Sequence, residues 1–110
     1  MKTLVYIAGP YTHPDPIENT RLAIDAWKTL VAAGYVPLVP HLGLLCQLVY
    51  PMPPEWWYEY DLHLLERCDV MLRLPGTSKG ADIEAEHAIA HNIPVFHGTA
   101  RQFLAEWRAA

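Results

Sequence analysis

Short, continuous apolar runs alternate along the chain with longer stretches whose apolar positions recur every three or four residues. Runs of the first kind read as strands buried on both faces, and stretches of the second kind as amphipathic helices. Thr3 to Ala8 is the first run, closed by the breaker Gly9-Pro10. Asp15 then suits a helix N-cap, Pro16 the first helical position, and Glu18 the place of a capping-box partner. Leu22, Ala23, Ala26, Trp27, Leu30 and Val31 follow at helical spacing as far as Gly34, a helix stop.

Tyr35 to Val39 reads as a second strand, closed by Pro40. Residues 42–54 are apolar and end in Pro51, Pro53 and Pro54, predicting a short helix and then a proline-rich loop. Glu55 to Arg67 predicts a helix, Cys68 to Leu74 a third strand, and Pro75 to Gly80 a loop. Ala81 to His91 predicts a helix, Ile93 to Phe96 a fourth strand, and Thr99 caps a last helix carrying Phe103, Leu104 and Trp107. Strands that alternate with helices imply a parallel sheet covered on both faces, with right-handed crossovers. The expected architecture is a flavodoxin-like, three-layer α/β/α domain with a four- to five-stranded parallel sheet in the order 2-1-3-4.

The 110 residues suit a single domain over positions 1–110, and 52% hydrophobic against 18% charged residues is enough to bury a core. Low charge and four Trp point to apolar surface covered by a second copy, so a homodimer or higher homo-oligomer is expected. The formal charge is −4 and there is no Lys/Arg run, which argues against duplex nucleic acid as a partner. Cys46 and Cys68 make neither a disulfide framework nor a metal-binding spacing and are expected to be two buried thiols. No stretch is long and apolar enough for a membrane span, and the chain opens directly on a strand pattern, so a cytoplasmic protein without a leader is expected.

In sheets of this kind the ligand sits beyond the carboxyl ends of the strands. That rule selects Gly9, Pro10, Tyr11, Thr12 and His13 after the first strand and His41 after the second. It also selects Gly76 to Gly80, including Ser78, after the third strand, and His97-Gly98-Thr99 after the fourth. Loop N–H groups leading into helices suit an anionic ligand. Glu84 is expected in the first turn of the helix after the third loop, where the helix N-terminus would hold it ionised as a nucleophile or cation stabiliser. Asp82 competes for that role. Asp69 opens the third strand, away from the proposed site, and reads as structural. Asp61, mid-helix among Trp56, Trp57, Tyr58, Tyr60, Leu64 and Leu65, is either on an exposed stripe or kept for function. Trp56, Trp57 and Tyr60 could stack on a base or could form core or subunit interface. His87, one turn after Glu84, either faces the site or packs.

Val5-Tyr6-Ile7-Ala8-Gly9-Pro10, Asp61-Leu62 with Asp69 eight residues on, and Ser78-Lys79-Gly80-Ala81-Asp82-Ile83-Glu84 before Glu86-His87-Ala88 are the most telling segments. In these the chain, from about Leu4 to Phe96, resembles the nucleoside 2-deoxyribosyltransferase superfamily, which includes the 2'-deoxynucleoside 5'-phosphate N-hydrolases. The resemblance implies N-glycosidic bond cleavage without metal or other cofactor, by a homo-oligomer acting on a nucleoside or nucleotide. It implies Glu84 as nucleophile, Asp61 as the acid near base and sugar, and Tyr6 lining the sugar pocket beside the Glu. Gly9 falls on the first-loop glycine, His41 on a His of the hydrolase branch, and Ser78 on a Ser that contacts the 5'-phosphate. Pro10 and Thr12 depart from the Ser and Arg of the hydrolases. Three functions stay open at this point: a hydrolase of nucleoside monophosphates, a transferase between free deoxynucleosides, and a nucleotide-binding protein without turnover.

Overall fold

In the computed structural model, residues 2–108 are described, and among them the sheet has four strands. These are β1 (Leu4–Ala8), β2 (Val36–Leu38), β3 (Val70–Arg73) and β4 (Val95–His97), all parallel and ordered β2-β1-β3-β4. The helices are α1 (Pro16–Ala32), α2 (Leu44–Val49), α3 (Pro54–Leu65), α4 (Lys79–Ala90) and α5 (Ala100–Glu106), with a 3-10 turn at Pro40–Gly43 before α2. The flavodoxin-like order expected from the alternation is therefore the observed one.

Strand parity divides the core in two. Successive side chains of a strand point to opposite faces of the sheet. Val5, Ile7, Val70 and Leu72 pack on one face with Ala23, Ala26 and Leu30 of α1 and Phe103 of α5. Tyr6, Ala8 and Met71 pack on the other with Leu65 and with Ala81, Ala85 and Ala88 of α4. The alanine face of α4 has no bulk, so the helix lies close to the sheet. Both central strands are thus covered on both sides, which is why their sequences read as unbroken apolar runs.

Local signals account for most element boundaries. The Asp15 carboxylate accepts the Glu18 N–H and starts α1, with Pro16 next. Glu18 does not complete a capping box: its own carboxylate is taken by Arg21, at 2.6 Å. Gly34, at φ +93°, ends that segment in the left-handed region. Thr99 and Gln102 form a reciprocal capping box at α5. Asp69 is structural, as its position implies, since its carboxylate accepts the Leu4 N–H at 2.8 Å where β1 starts.

Several expectations are corrected. Leu22, Trp27 and Val31 stay largely exposed, and Asn19 and Thr20 take buried places on α1 instead. Small side chains let α1 seat closely, and periodicity alone cannot show which edge of the apolar stripe is covered. Cys68 is buried, with its thiol pushed up to about 11 by burial, but Cys46 is exposed on α2. Leu45, Leu48 and Val49 of the same short helix are also exposed.

Phe103 is fully buried, stacked on Trp107 and edge-on to Tyr35 and Phe96. Phe103→Ala is expected to cost about 3–5 kcal/mol, read as a lower urea midpoint with an unchanged slope.

Candidate active site

A cleft of about 1440 Å3 opens beyond the carboxyl ends of the strands. It takes in residues of the loops after β1, β2 and β3, and Thr99 after β4. Gly9, Pro10, Tyr11, Thr12, His41, Ser78 and Gly80 all line it, as do Asp61 and Glu84. The residues selected by the strand-end rule are therefore brought to one place, together with Glu84 and Asp61, except His97 and Gly98, which are not part of its lining.

Glu84 sits on the inner side of α4. The helix begins at Lys79 with Ser78 as its cap, so Glu84 lies in the second turn, not the first. The expectation that the helix N-terminus holds it ionised is overturned. Burial dominates and pushes its carboxyl up to about 7, against the lowering effects of the Tyr6 hydrogen bond and of Arg73. Asp61, reaching in from α3, is likewise pushed up to about 7 by burial, and its charge adds to the rise at Glu84. Both carboxyls thus titrate near neutrality, where they can exchange protons with a substrate.

Tyr6 is fully buried, so it does not line the sugar pocket as the resemblance implies. It lies behind Glu84, and its hydroxyl donates to the Glu84 carboxylate. Burial first, then the Glu84 and Asp61 charges, raise the phenol well above its ordinary pKa, so the O–H stays a donor. Asp82, the rival carboxylate, points elsewhere and pairs with Arg73 at 3.0 Å. His87 does not face the cleft; its ring meets Glu66 at 2.7 Å.

The loops are held by Arg73 and Asn19, which the sequence did not single out, and by His41, which it did. Arg73, buried at the end of β3, donates to the carbonyls of Leu74 and Gly76 and to Asp82, fixing the third loop from below. Asn19, buried on α1, donates to the carbonyls of Tyr11 and His13 at 3.0 Å each and fixes the first loop. His41 donates from Nε2 to the Pro10 carbonyl at 2.9 Å, tying the second loop to the first. Its Nδ1 is buried without a partner among the described residues, and burial lowers the ring's pKa, so the ring is neutral. His41 is thus spent on the loop, with its ring edge-on to Tyr11. Arg73 had a signal, a lone cation at the end of an apolar strand. Asn19 had a weaker one, an amide inside a helical apolar stripe.

Close approaches fix the shape of the cleft. Gly76 is at φ +117°, and a Cβ there would lie 2.7 Å from Pro10 Cγ. A Cβ on Gly80 would lie 3.2 Å from Tyr58, which covers the start of α4. Trp57 and Tyr58 line the cleft, whereas Trp56 and Tyr60 stack on each other outside it, with rings 5.2 Å apart. Gln47 holds the proline-rich loop, bonding both ways with Met52 and accepting the Trp57 indole N–H.

Residues 3–98 match the family model of a domain of unknown function, DUF7768. The chain belongs to this family. No curated protein matches it. Among solved structures, a 2-deoxyribosyltransferase from the psychrotolerant bacterium Bacillus psychrosaccharolyticus superposes with a TM-score of 0.62 at 16% identity. The superposition covers 86% of this chain and 70% of that one, and at such identity it establishes a shared fold. The DUF7768 match spans all four strands, so the cleft lies within the family domain apart from Thr99, Ala100 and Arg101.

The raised carboxyl of Glu84 makes a prediction about stability. With a folded pKa of about 7 against an ordinary 4.5, the folded chain holds a proton that the unfolded chain has released, and stability falls as pH rises through that window. Glu84→Gln keeps an acceptor for Tyr6 without the buried charge. Above pH 7 it should be more stable than the parent by on the order of 2 kcal/mol. Thermal unfolding from pH 4 to 9 should show the two curves converging on the acid side.

Proposed function

We propose that this chain cleaves the N-glycosidic bond of a nucleoside or nucleoside 5'-monophosphate with Glu84 as nucleophile. The observation that carries this reading is the Tyr6 hydroxyl donating to Glu84 in a cleft that also holds Asp61. The fold shared with a 2-deoxyribosyltransferase supports the substrate class.

In the proposed mechanism the Glu84 carboxylate attacks C1' of the sugar as the bond to the base breaks through an oxocarbenium-like transition state. Tyr6 fixes the rotamer of Glu84, and its hydrogen bond stabilises the carboxylate form. Asp61, with its pKa near 7, carries a proton that it delivers to the departing base, directly or through water. The glycosyl ester on Glu84 is then resolved by water, which releases the sugar, or by a second base, which gives a new nucleoside. A 5'-phosphate would lie at the start of α4, where Ser78 Oγ accepts the Ala81 N–H and keeps its own O–H free to donate. That placement favours the monophosphate hydrolase over the transferase. The departure at Pro10 and Thr12 limits phosphate contacts to this third loop.

Incubation with a panel of nucleosides and monophosphates, with free base read by chromatography, tests the reading directly. Base release is expected, and Glu84→Ala should lower it by roughly 10^3-fold or more with the fold retained. Undiminished release in that variant rejects Glu84 as nucleophile. Tight nucleotide binding with no release makes the protein a sensor, not an enzyme. A new nucleoside formed on adding a second base identifies the transferase.

The same assay over pH should give a bell-shaped kcat/KM centred near 7. The acid limb reflects Glu84 losing its proton to become a nucleophile, and the alkaline limb Asp61 losing the proton it must donate. Asp61→Asn should lower the rate by about 10^2-fold or more and remove the alkaline limb.

A further inference from the structure

Glu66, His87 and His91 form a second cluster of functional side chains, and none of them lines the cleft. We propose that these three residues bind a divalent transition-metal ion of the zinc type at the end of the domain opposite the substrate cleft. The proposal is independent of the function assigned to Glu84.

Three observations carry it. The first is convergence. His87 and His91 are four apart at the end of α4, so their rings share one face, with centroids 4.1 Å apart. His87 Nε2 is 2.7 Å from Glu66 Oε2, and His91 Nε2 is 3.9 Å from the same oxygen. One ligand atom from each residue lies within 4.8 Å of the others. A tetrahedral zinc ion with bonds of about 2.1 Å holds its ligand atoms about 3.4 Å apart. The shorter separation must open and the longer one close, each by less than about 1 Å.

The second is the tautomer of His91. Its Nδ1 lies 2.9 Å from the His87 carbonyl oxygen, a contact that only a protonated nitrogen makes. In the neutral ring Nε2 therefore carries a lone pair, and that lone pair is on the side of a carboxylate oxygen. Two electron-rich atoms held in this way are reconciled by a cation between them. A backbone carbonyl on the outer ring nitrogen is also the usual arrangement of a metal-bound His.

The third is the helix field. α3 ends at Leu65 with Glu66 as its C-cap, and α4 ends at Ala90 with His91 as its C-cap. Each helix brings its partially negative end to the cluster, and Glu66 adds an anion where a helix end disfavours one. A bound cation offsets all three. On binding, His87 exchanges its Nε2 proton through solvent for one on Nδ1, so both rings ligate neutral beside the carboxylate.

Two imidazoles and one carboxylate suit zinc-type ions over magnesium or calcium. An ion there would brace α3, which carries Asp61, against α4, which carries Glu84.

The test is calorimetric titration of zinc chloride into tag-free, chelator-stripped protein, paired with thermal unfolding. One zinc ion per chain is expected to bind in the micromolar range or tighter, raising Tm by roughly 10 °C at a free concentration about 100 times Kd. His91→Ala and Glu66→Ala should each weaken binding by about ten-fold or more, and His87→Ala/His91→Ala together should abolish it. If the double variant does not fold, His91→Gln, at an exposed position, gives the same reading. Binding to the parent no tighter than to these variants, or equal binding of magnesium, overturns the proposal.

Discussion

The hydrogen bond from Tyr6 to Glu84 depends on two packing facts, and the site depends on it. Tyr6 is the middle residue of the β1 run Leu4–Ala8, so strand alternation turns it to the α3/α4 face while Val5 and Ile7 face α1. On that face α4 presents Ala81, Ala85 and Ala88 to the sheet. A bulkier residue at any of these would lift the helix and take Glu84 out of reach of the phenol. The carboxylate is thus held by backbone geometry and by the smallness of its neighbours.

The chemistry follows from burial more than from charge. With the helix N-terminus a full turn away and the Arg73 charge a smaller influence than burial, desolvation sets the proton affinity of Glu84. The same applies to Asp61. Two carboxyls that titrate near neutrality within one cleft can divide the tasks of attacking and protonating. A fully ionised pair or a fully protonated pair could not.

Around this centre the loops are tied down by side chains that hold them from below or behind. Arg73, Asn19 and His41 each spend their hydrogen bonds on loop carbonyls. A buried arginine or amide with its donors satisfied fixes a loop more firmly than surface contacts do. Gly76 comes too close to Pro10 for a side chain, and Gly80 leaves only a tight fit against Tyr58. At the far end of the same two helices, Glu66, His87 and His91 gather where both helix dipoles end.

The sequence by itself determined the element order, the parallel sheet and its strand order, because period, breaker residues and crossover handedness leave few alternatives. It also placed Ser78, Gly9 and His41 at strand ends and Glu84 on the helix that leaves the third loop, since in this architecture chain position fixes which end of the sheet a loop occupies. What it could not determine depends on distance through space. That Asp82 belongs to Arg73, that Tyr6 is hidden behind Glu84, and that Trp57 lines the cleft while Trp56 does not were all decided by packing. So were the ionisation of Glu84, which chain position assigned to the helix dipole and burial reversed, and the exposure of Cys46. Local pattern records which face a residue shares with its own element. Only the docking of one element on another decides what that face meets and how much water remains there.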